Sequence, residues 1–327
     1  MRLSILIPYY NRNDLIGRTL DSLLDQDLEA SEYEIIVVDD GSQEEPVVLK
    51  EYARRWPQVK YHRIEHSGLS PARNYGLSVA QGDWILLCDS DDFVQRQVLG
   101  RLIDAADKRE LEMIYVRIKS IFPPYDTPAP HANFEEISPV MELKEMVGGH
   151  PAFTTVAVGA YMLRRDFVLK NNIAFHKIFY VEERLYMLDL IRTVKRVAYF
   201  DVELYYYVQQ DDSILHKKRR QNGGEYVASV MYYLERLAEL MKDPFIPPAA
   251  VAYLRRKELS VMANNLLETA FRACPLEKTA ECVARLDELE AYPLVLPDKI
   301  SRRWLKVFLR NRKKIWLLLC RICHKNS

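Results

Sequence analysis

The first hundred residues alternate between two hydrophobic periods. Residues 3–7 form a short apolar run stopped by Pro8, and residues 35–38 form a β-branched run stopped by Asp39-Asp40-Gly41-Ser42. Runs of this length, apolar on both faces, predict strands buried on both sides, as in parallel sheets. Between them Leu15, Ile16, Leu20, Leu23 and Leu24 recur at helical spacing over residues 14–28. Residues 47–56 fit a second helix and residues 59–63 a third strand. Ser70-Pro71 predicts a helix start, with Ser70 as N-cap and Pro71 at the first helical position. That helix runs to about Ala80 and ends at Gly82. Residues 84–88 predict a fourth buried strand, which stops at Asp89-Ser90-Asp91-Asp92.

Strand, helix, strand, helix in this order predicts an α/β fold, a parallel sheet with helices on both faces. In such sheets ligands bind beyond the carboxyl ends of the strands, and here two of those ends are acidic. Residues 121–149 are rich in proline (Pro123, Pro124, Pro128, Pro130, Pro139) and read as an irregular surface excursion. Residues 156–163 and 204–209 predict further strands, with a helix over 182–191 between them. From about Lys217 the pattern is purely helical. The expected organisation is therefore a sheet domain over 1–216 and a helical region over 217–327.

Carboxylates one residue apart at a strand end can share a face and hold a hard divalent cation. Asp89 and Asp91 suit Mn2+ or Mg2+ completed by substrate phosphates, although an acidic turn capping the next helix has the same composition. Asp39 and Asp40 lead into a sharp turn, where a carboxylate can accept from a nucleobase imide or from ribose hydroxyls. Asp, Gly and Ser also favour a plain turn, so either acidic end alone decides little.

Together with their surroundings these segments resemble family 2 of the glycosyltransferases, a group with the GT-A fold that includes bacterial polysaccharide enzymes. The matching segments are Ser4-Ile5-Leu6-Ile7-Pro8-Tyr9-Tyr10-Asn11, Ile36-Val37-Val38-Asp39-Asp40-Gly41-Ser42, Ser70-Pro71-Ala72-Arg73-Asn74-Tyr75-Gly76-Leu77 and Gly82-Asp83-Trp84-Ile85-Leu86-Leu87-Cys88-Asp89-Ser90-Asp91-Asp92. They occur in the family's order and cover roughly residues 1–215. The resemblance implies an inverting transfer of sugar from a nucleotide-diphosphate donor to an acceptor hydroxyl. It implies that Pro8, Tyr9, Tyr10 and Asn11 line the nucleotide. Asp39 would bind the base, uracil if the donor is a UDP-sugar, and Asp40, Arg73 and Ser90 would lie on the nucleotide side. Asp89 and Asp91 form the D-x-D element, with Asp91 the more direct metal ligand.

The general base of the family comes from an acidic pair after a short aromatic stretch. Phe175-His176-Lys177-Ile178-Phe179-Tyr180-Val181-Glu182-Glu183 occupies that place, which implies Glu183 as base and Glu182 as second choice. Glutamates at a helix start are also favoured by the helix dipole alone. The family Asp is replaced by Glu at 183, and Val158-Gly159-Ala160-Tyr161 stands where relatives often carry a tryptophan at the acceptor site. A non-catalytic binding protein descended from a transferase is one alternative. A nucleotidyltransferase is another, and Pro8-Tyr9-Tyr10-Asn11 offers it no glycine-rich phosphate loop.

Composition changes this picture only at the C-terminus. Lys+Arg and Asp+Glu both number 46 in 327 residues, so the chain as a whole is not built to bind a polyanion. Residues 301–327 contain no acid and interleave basic residues with apolar ones, Trp304 and Trp316 among them. Such a segment predicts an interfacial helix on an anionic membrane surface, and a lipid-linked glycan acceptor would suit it. A core-docking helix is the competing expectation, and nucleic acid is not expected as a partner. Cys320-Arg321-Ile322-Cys323-His324 matches the haem-attachment spacing, but no export signal precedes it. The scattered cysteines read as reduced thiols, and the expected setting is cytoplasmic, peripheral on the inner membrane face. Among the histidines, His66, His176 and His216 are candidate ligands, with His216 the most plausible.

Overall fold

Leu3, Ile5, Leu6 and Ile7 have no exposed surface in this computed structural model, and they lie at the centre of its sheet. The structure describes residues 1–122, 137–209 and 222–291. Strands β1 (Leu3–Tyr9), β2 (Tyr33–Asp39), β3 (Val59–Arg63) and β4 (Trp84–Leu87) pair in parallel in the order β3-β2-β1-β4. Ile5 sits between Ile35 and Leu86 in register. Full burial of each such side chain stabilises by about 1.5–3 kcal/mol, so the apolar runs hold the quartet together.

Helices α1 (Ile16–Leu24) and α2 (Val47–Arg55) pack on one another, with Gly17 facing Val48. After β3 the chain returns past β1 to reach β4, and a right-handed crossover places α3 (Leu69–Val79) on the opposite face. The expected cap at Ser70 is displaced. Gly68, at φ +102°, takes the N-cap place, so the helix begins at Leu69, two residues before the Pro71 start that a Ser70 cap implies, and Ser70 is buried inside the first turn.

Beyond β4 the sheet becomes mixed, where the alternation alone predicts only parallel pairing. The remaining elements are β5 (Phe93–Val94), α4 (Leu99–Asp107), β6 (Met113–Ile121), α5 (Leu143–Gly149), β7 (Tyr161–Arg164), α6 (Arg165–Lys170), α7 (Glu182–Thr193) and β8 (Val197–Val208). β7 runs antiparallel to both β4 and β6, β6 runs parallel to β8, and β5 is antiparallel to β8. The full order is β3-β2-β1-β4-β7-β6-β8-β5. The 121–149 stretch is not wholly irregular: Ile137 and Met141 bridge to β8, and Glu142 closes a capping box with Glu145 at the start of α5.

Two compact units emerge. The first holds the described residues of 1–146, 150–177 and 182–209, and contains the sheet. The second holds 147–149, 178–181 and 222–291. Its helices are Gly223–Met241, Pro248–Leu254, Ser260–Ala273 and Leu276–Glu288, with a π-helical turn at Arg255–Leu259. Tyr233, Leu234, Leu237 and Leu266 form part of its buried interior. No helix among the described residues is long and apolar enough to cross a membrane.

Candidate active site

The acidic end of β4 is mounted on the polar side of α1. Thr19 Oγ1 donates to the carbonyls of Ser90 (3.1 Å) and Asp92 (2.6 Å), and the Arg18 guanidinium donates to the Asp91 carbonyl. Farther along, Val94 N donates to Ser22 Oγ (3.1 Å), and Gln26 Nε2 donates to the Gln95 carbonyl (2.9 Å). These bonds fix the backbone and leave the carboxylates of Asp89 and Asp91 outside the network, each side chain 31% exposed. Asp92 points inward instead. It accepts from Tyr205 Oη (2.7 Å) and Val208 N (2.8 Å), while Tyr205 Oη accepts from Asp89 N (3.0 Å). A side chain at Gly159 would strike the Tyr205 ring, since a Cβ there lies 2.5 Å from it. The absence of a bulky residue at 159 therefore follows from the packing that supports Asp89.

The acidic end of β2 is organised differently. Asp39 has no exposed side-chain surface; it accepts from Ser42 N (2.8 Å) and Tyr61 Oη (2.8 Å) and pairs with Arg63 at 3.6 Å. Asp40 accepts from Ser67 N (2.8 Å) and Gly68 N (2.9 Å), and its Oδ2 lies 2.9 Å from His66 Nδ1. Gly41, at φ +70°, completes the turn where a Cβ would stand 2.8 Å from His66 N. Pro8, Tyr9 and Ser90 are buried too. Asn11, at φ +49°, uses its carboxamide oxygen to accept from Gln43 N and Glu44 N. Tyr10 is exposed and stacks on the His66 ring at 4.7 Å. Of the residues expected to line the nucleotide, Tyr10 thus offers the most open surface at this end.

Arg73 does not line a cleft: its side chain has no exposed surface. Its Nη2 donates to Asp89 Oδ1 (2.9 Å) and Glu183 Oε1 (3.0 Å), and its Nη1 donates to Glu182 Oε1 (3.3 Å). The structure therefore brings together the D-x-D element and the acidic pair at the start of α7, through a residue expected on the nucleotide side. Burial works against the arginine's charge, and Asp89, Glu183 and Glu182 overcome it and hold the pKa raised. Burial first, and the Glu183 charge second, push the Glu182 carboxyl up to about 7, with Arg73 pulling the other way. Val181, directly ahead of the pair, adopts φ +63°, a strained conformation for a β-branched residue.

The donor set at the β4 end suits a divalent cation only in part. Asp91's pKa is raised by burial and then by the Asp89 charge, a setting that a hard cation relieves. Among the described residues no group of three or more His, Cys, Asp or Glu is placed to hold a metal. Asp89 and Asp91 would thus supply two carboxylates, and substrate phosphates and water the remaining ligands. His176 is 3.2 Å from Asp189 on α7. His216, the cysteine pair at 320 and 323 and the basic segment 301–327 lie outside the described residues.

Several residues of this site carry no motif. Thr19 and Ser22, buried beside the apolar stripe of α1, and Gln26 just past its end recur at helical spacing, and that polar periodicity was the available signal. Asn74 stands inside a matching segment, but its role and that of Tyr205 depend on partners distant in sequence.

A parallel quartet with acidic strand ends, extended by an antiparallel strand, defines a GT-A fold. The chain belongs to glycosyl transferase family 2, whose profile matches residues 4–171. It is 30% identical over 207 residues to the uncharacterized glycosyltransferase EpsJ of Bacillus subtilis, covering 62% of this chain and 59% of that protein. It is 30% identical over 212 residues to the poly(ribitol-phosphate) beta-glucosyltransferase of Bacillus spizizenii, covering 63% of this chain and 32% of that protein. The match therefore spans less than two thirds of the first relative and about a third of the second. Among solved structures, Staphylococcus aureus TarS 1-349 in complex with UDP-GlcNAc superposes with a TM-score of 0.64 at 20% identity, covering 90% of this chain and 82% of that one. A mannosyltransferase from Pyrobaculum calidifontis in complex with GDP-Man and Mn2+ gives 0.52 at 16% identity, over 97% of this chain and 87% of that one.

Proposed function

We propose that this protein is an inverting glycosyltransferase that moves a hexosyl or N-acetylhexosaminyl group from a UDP-sugar to an acceptor hydroxyl of a surface glycan. The observation that carries this reading is the convergence of Asp89, Glu182 and Glu183 on Arg73, which joins a phosphate-side acid to a pair of candidate bases. The donor's diphosphate would lie at Asp89 and Asp91, and its nucleoside toward Tyr10 and Asn11, above the turn that Asp39 and Asp40 shape. Mn2+ or Mg2+ held by Asp89 and Asp91 would neutralise charge on the departing diphosphate. Glu183 accepts the acceptor's hydroxyl proton as that oxygen attacks the anomeric carbon from the face opposite the diphosphate. Glu182 is the second choice, because Glu183 is the residue that stands at the position of the family Asp.

The poly(ribitol-phosphate) transferases among the relatives support a polymeric acceptor, and a lipid-linked glycan would suit the basic segment. In this reading residues 1–216 carry the transfer chemistry. Residues 301–327 bring the enzyme to the cytoplasmic face of an anionic membrane, each basic residue contributing about 1 kcal/mol near the surface. Truncation before Ser301 should then leave donor hydrolysis intact and abolish sedimentation with anionic liposomes; loss of hydrolysis would instead make the segment part of the folded core. A panel of nucleotide sugars, scored for Mn2+-dependent release of nucleoside diphosphate, tests the proposed activity. Release from a UDP-sugar is expected, and no release from any donor would refute it.

A further inference from the structure

Arg73 and Asn74, adjacent on α3, grip the segment that leads to the glutamates by three different means. The guanidinium bonds both glutamates and Asp89. It also lies over the Phe175 ring at 5.1 Å, and that ring stacks on Tyr186 of α7 at 4.1 Å. Asn74 exchanges a pair of hydrogen bonds with the Phe175 backbone. Its Nδ2 donates to Phe175 O and its Oδ1 accepts from Phe175 N, both at 2.8 Å. Arg73 Nε is buried without a protein partner, so the hydrogen bonding of the guanidinium is concentrated on its two terminal nitrogens.

We infer that Arg73 is a positioning residue that sets the Glu183 carboxylate against the leaving-group end of the site, and that Asn74 fixes the segment on which this alignment depends. The inference rests on the reading of Glu183 as base and Asp89 as part of the donor end. A side chain without exposed surface does not contact a nucleotide, so Arg73 acts through the groups it holds. A planar fork presents Nη2 to Asp89 and Glu183 and Nη1 to Glu182 in one fixed geometry; a lysine ammonium, a compact charge on a flexible stem, does not hold all three in that arrangement. Glu183 turns Oε1 to Arg73, which leaves Oε2 as the atom that takes the acceptor's proton. The same nitrogen, Nη2, serves Asp89 and Glu183. The base is thereby referenced to the diphosphate end through one rigid group.

The test uses the full chain, Mn2+ and UDP-GlcNAc, with UDP release to water as the readout. Four proteins are compared: wild type, Arg73→Lys, Glu183→Gln and the double variant. Misplacing the base by about an ångström predicts a loss in kcat of about 100-fold for Arg73→Lys, with KM for UDP-GlcNAc nearly unchanged. In the Glu183→Gln background the same substitution should cost less than about threefold, because no base remains to be positioned. Losses that multiply in the double variant would overturn the inference, as would a raised KM with kcat preserved, which would make Arg73 a donor contact. Wild-type kcat in Glu183→Gln would sink the base reading itself, an outcome distinct from either. Should Arg73→Lys fail to fold, Asn74→Ala keeps every charge and still releases Phe175. It should lower kcat without raising KM, and an unchanged kcat there would overturn the inference.

Discussion

The ends of β2 and β4 carry similar acidic sequences and use them in opposite ways. At the β2 end the carboxylates of Asp39 and Asp40 are buried and bonded by backbone N–H groups, a tyrosine and basic side chains. Their charge is answered within the protein, and the product is a rigid turn. At the β4 end Asp89 and Asp91 remain one-third exposed and close to further carboxylates, with Arg73 shared three ways. Burial and the Asp89 charge drive Asp91 and the inward-facing Asp92 upward in pKa. A carboxylate whose charge is already compensated builds structure, whereas an under-compensated one is available to a cation or a proton. The difference lies in the neighbours, not in the residue type.

The largest consequence is expected at Asp91. Asp91→Asn should reduce Mn2+-dependent UDP release to background with little change in melting temperature; activity near wild type would erase the contrast. Glu183→Gln comes next, with a fall of about 100-fold or more in kcat and retained donor binding, measured by turnover and calorimetry. If Glu182→Gln shows that fall instead, the two roles are exchanged.

A smaller effect concerns pH. Glu182's carboxyl titrates near 7 in the folded chain, above its ordinary value of 4.5. Between those values the unfolded chain releases a proton that the folded one keeps, so this group's contribution to stability falls as pH rises from about 4.5 to about 7 and then levels off. The melting temperature of wild type relative to Glu182→Gln should decline across that window. A constant difference would show that Glu182 is not perturbed. Asp40→Asn should have the least effect on chemistry. It removes a charged acceptor from a bonded turn and should cost about 1–3 kcal/mol of stability, visible in denaturant melts, with kcat changed only a few-fold.

Much of the quartet was legible because β1, β2 and β4 are built on short apolar runs, of which β2 and β4 stop at aspartates, whereas β1 continues through Pro8 to Tyr9. What was not legible depends on distant partners. Strand β5 is two residues long, and its pairing with Tyr205 and Tyr206 has no local trace. The direction of β7 is set by β4 and β6, not by its own residues. At α3 a strong local cap signal, Ser70-Pro71, was overridden by Gly68 at a positive φ two residues earlier. The site divides in the same way. Asp89, Asp91, Glu182 and Glu183 could be named from their motifs. The burial of Arg73 could not, because its partners lie 16, 109 and 110 residues away along the chain. Asp92, adjacent to Asp91 in sequence, faces inward because Tyr205 and Val208, both distant along the chain, donate to it.

The contrast between the two acidic ends can be tested directly by calorimetric titration of UDP, with and without Mn2+, into wild type, Asp91→Asn and Asp40→Asn. Mn2+-dependent binding is expected in wild type, preserved in Asp40→Asn and lost in Asp91→Asn. Equal Mn2+-dependent binding in Asp91→Asn, or its loss in Asp40→Asn alone, would contradict it.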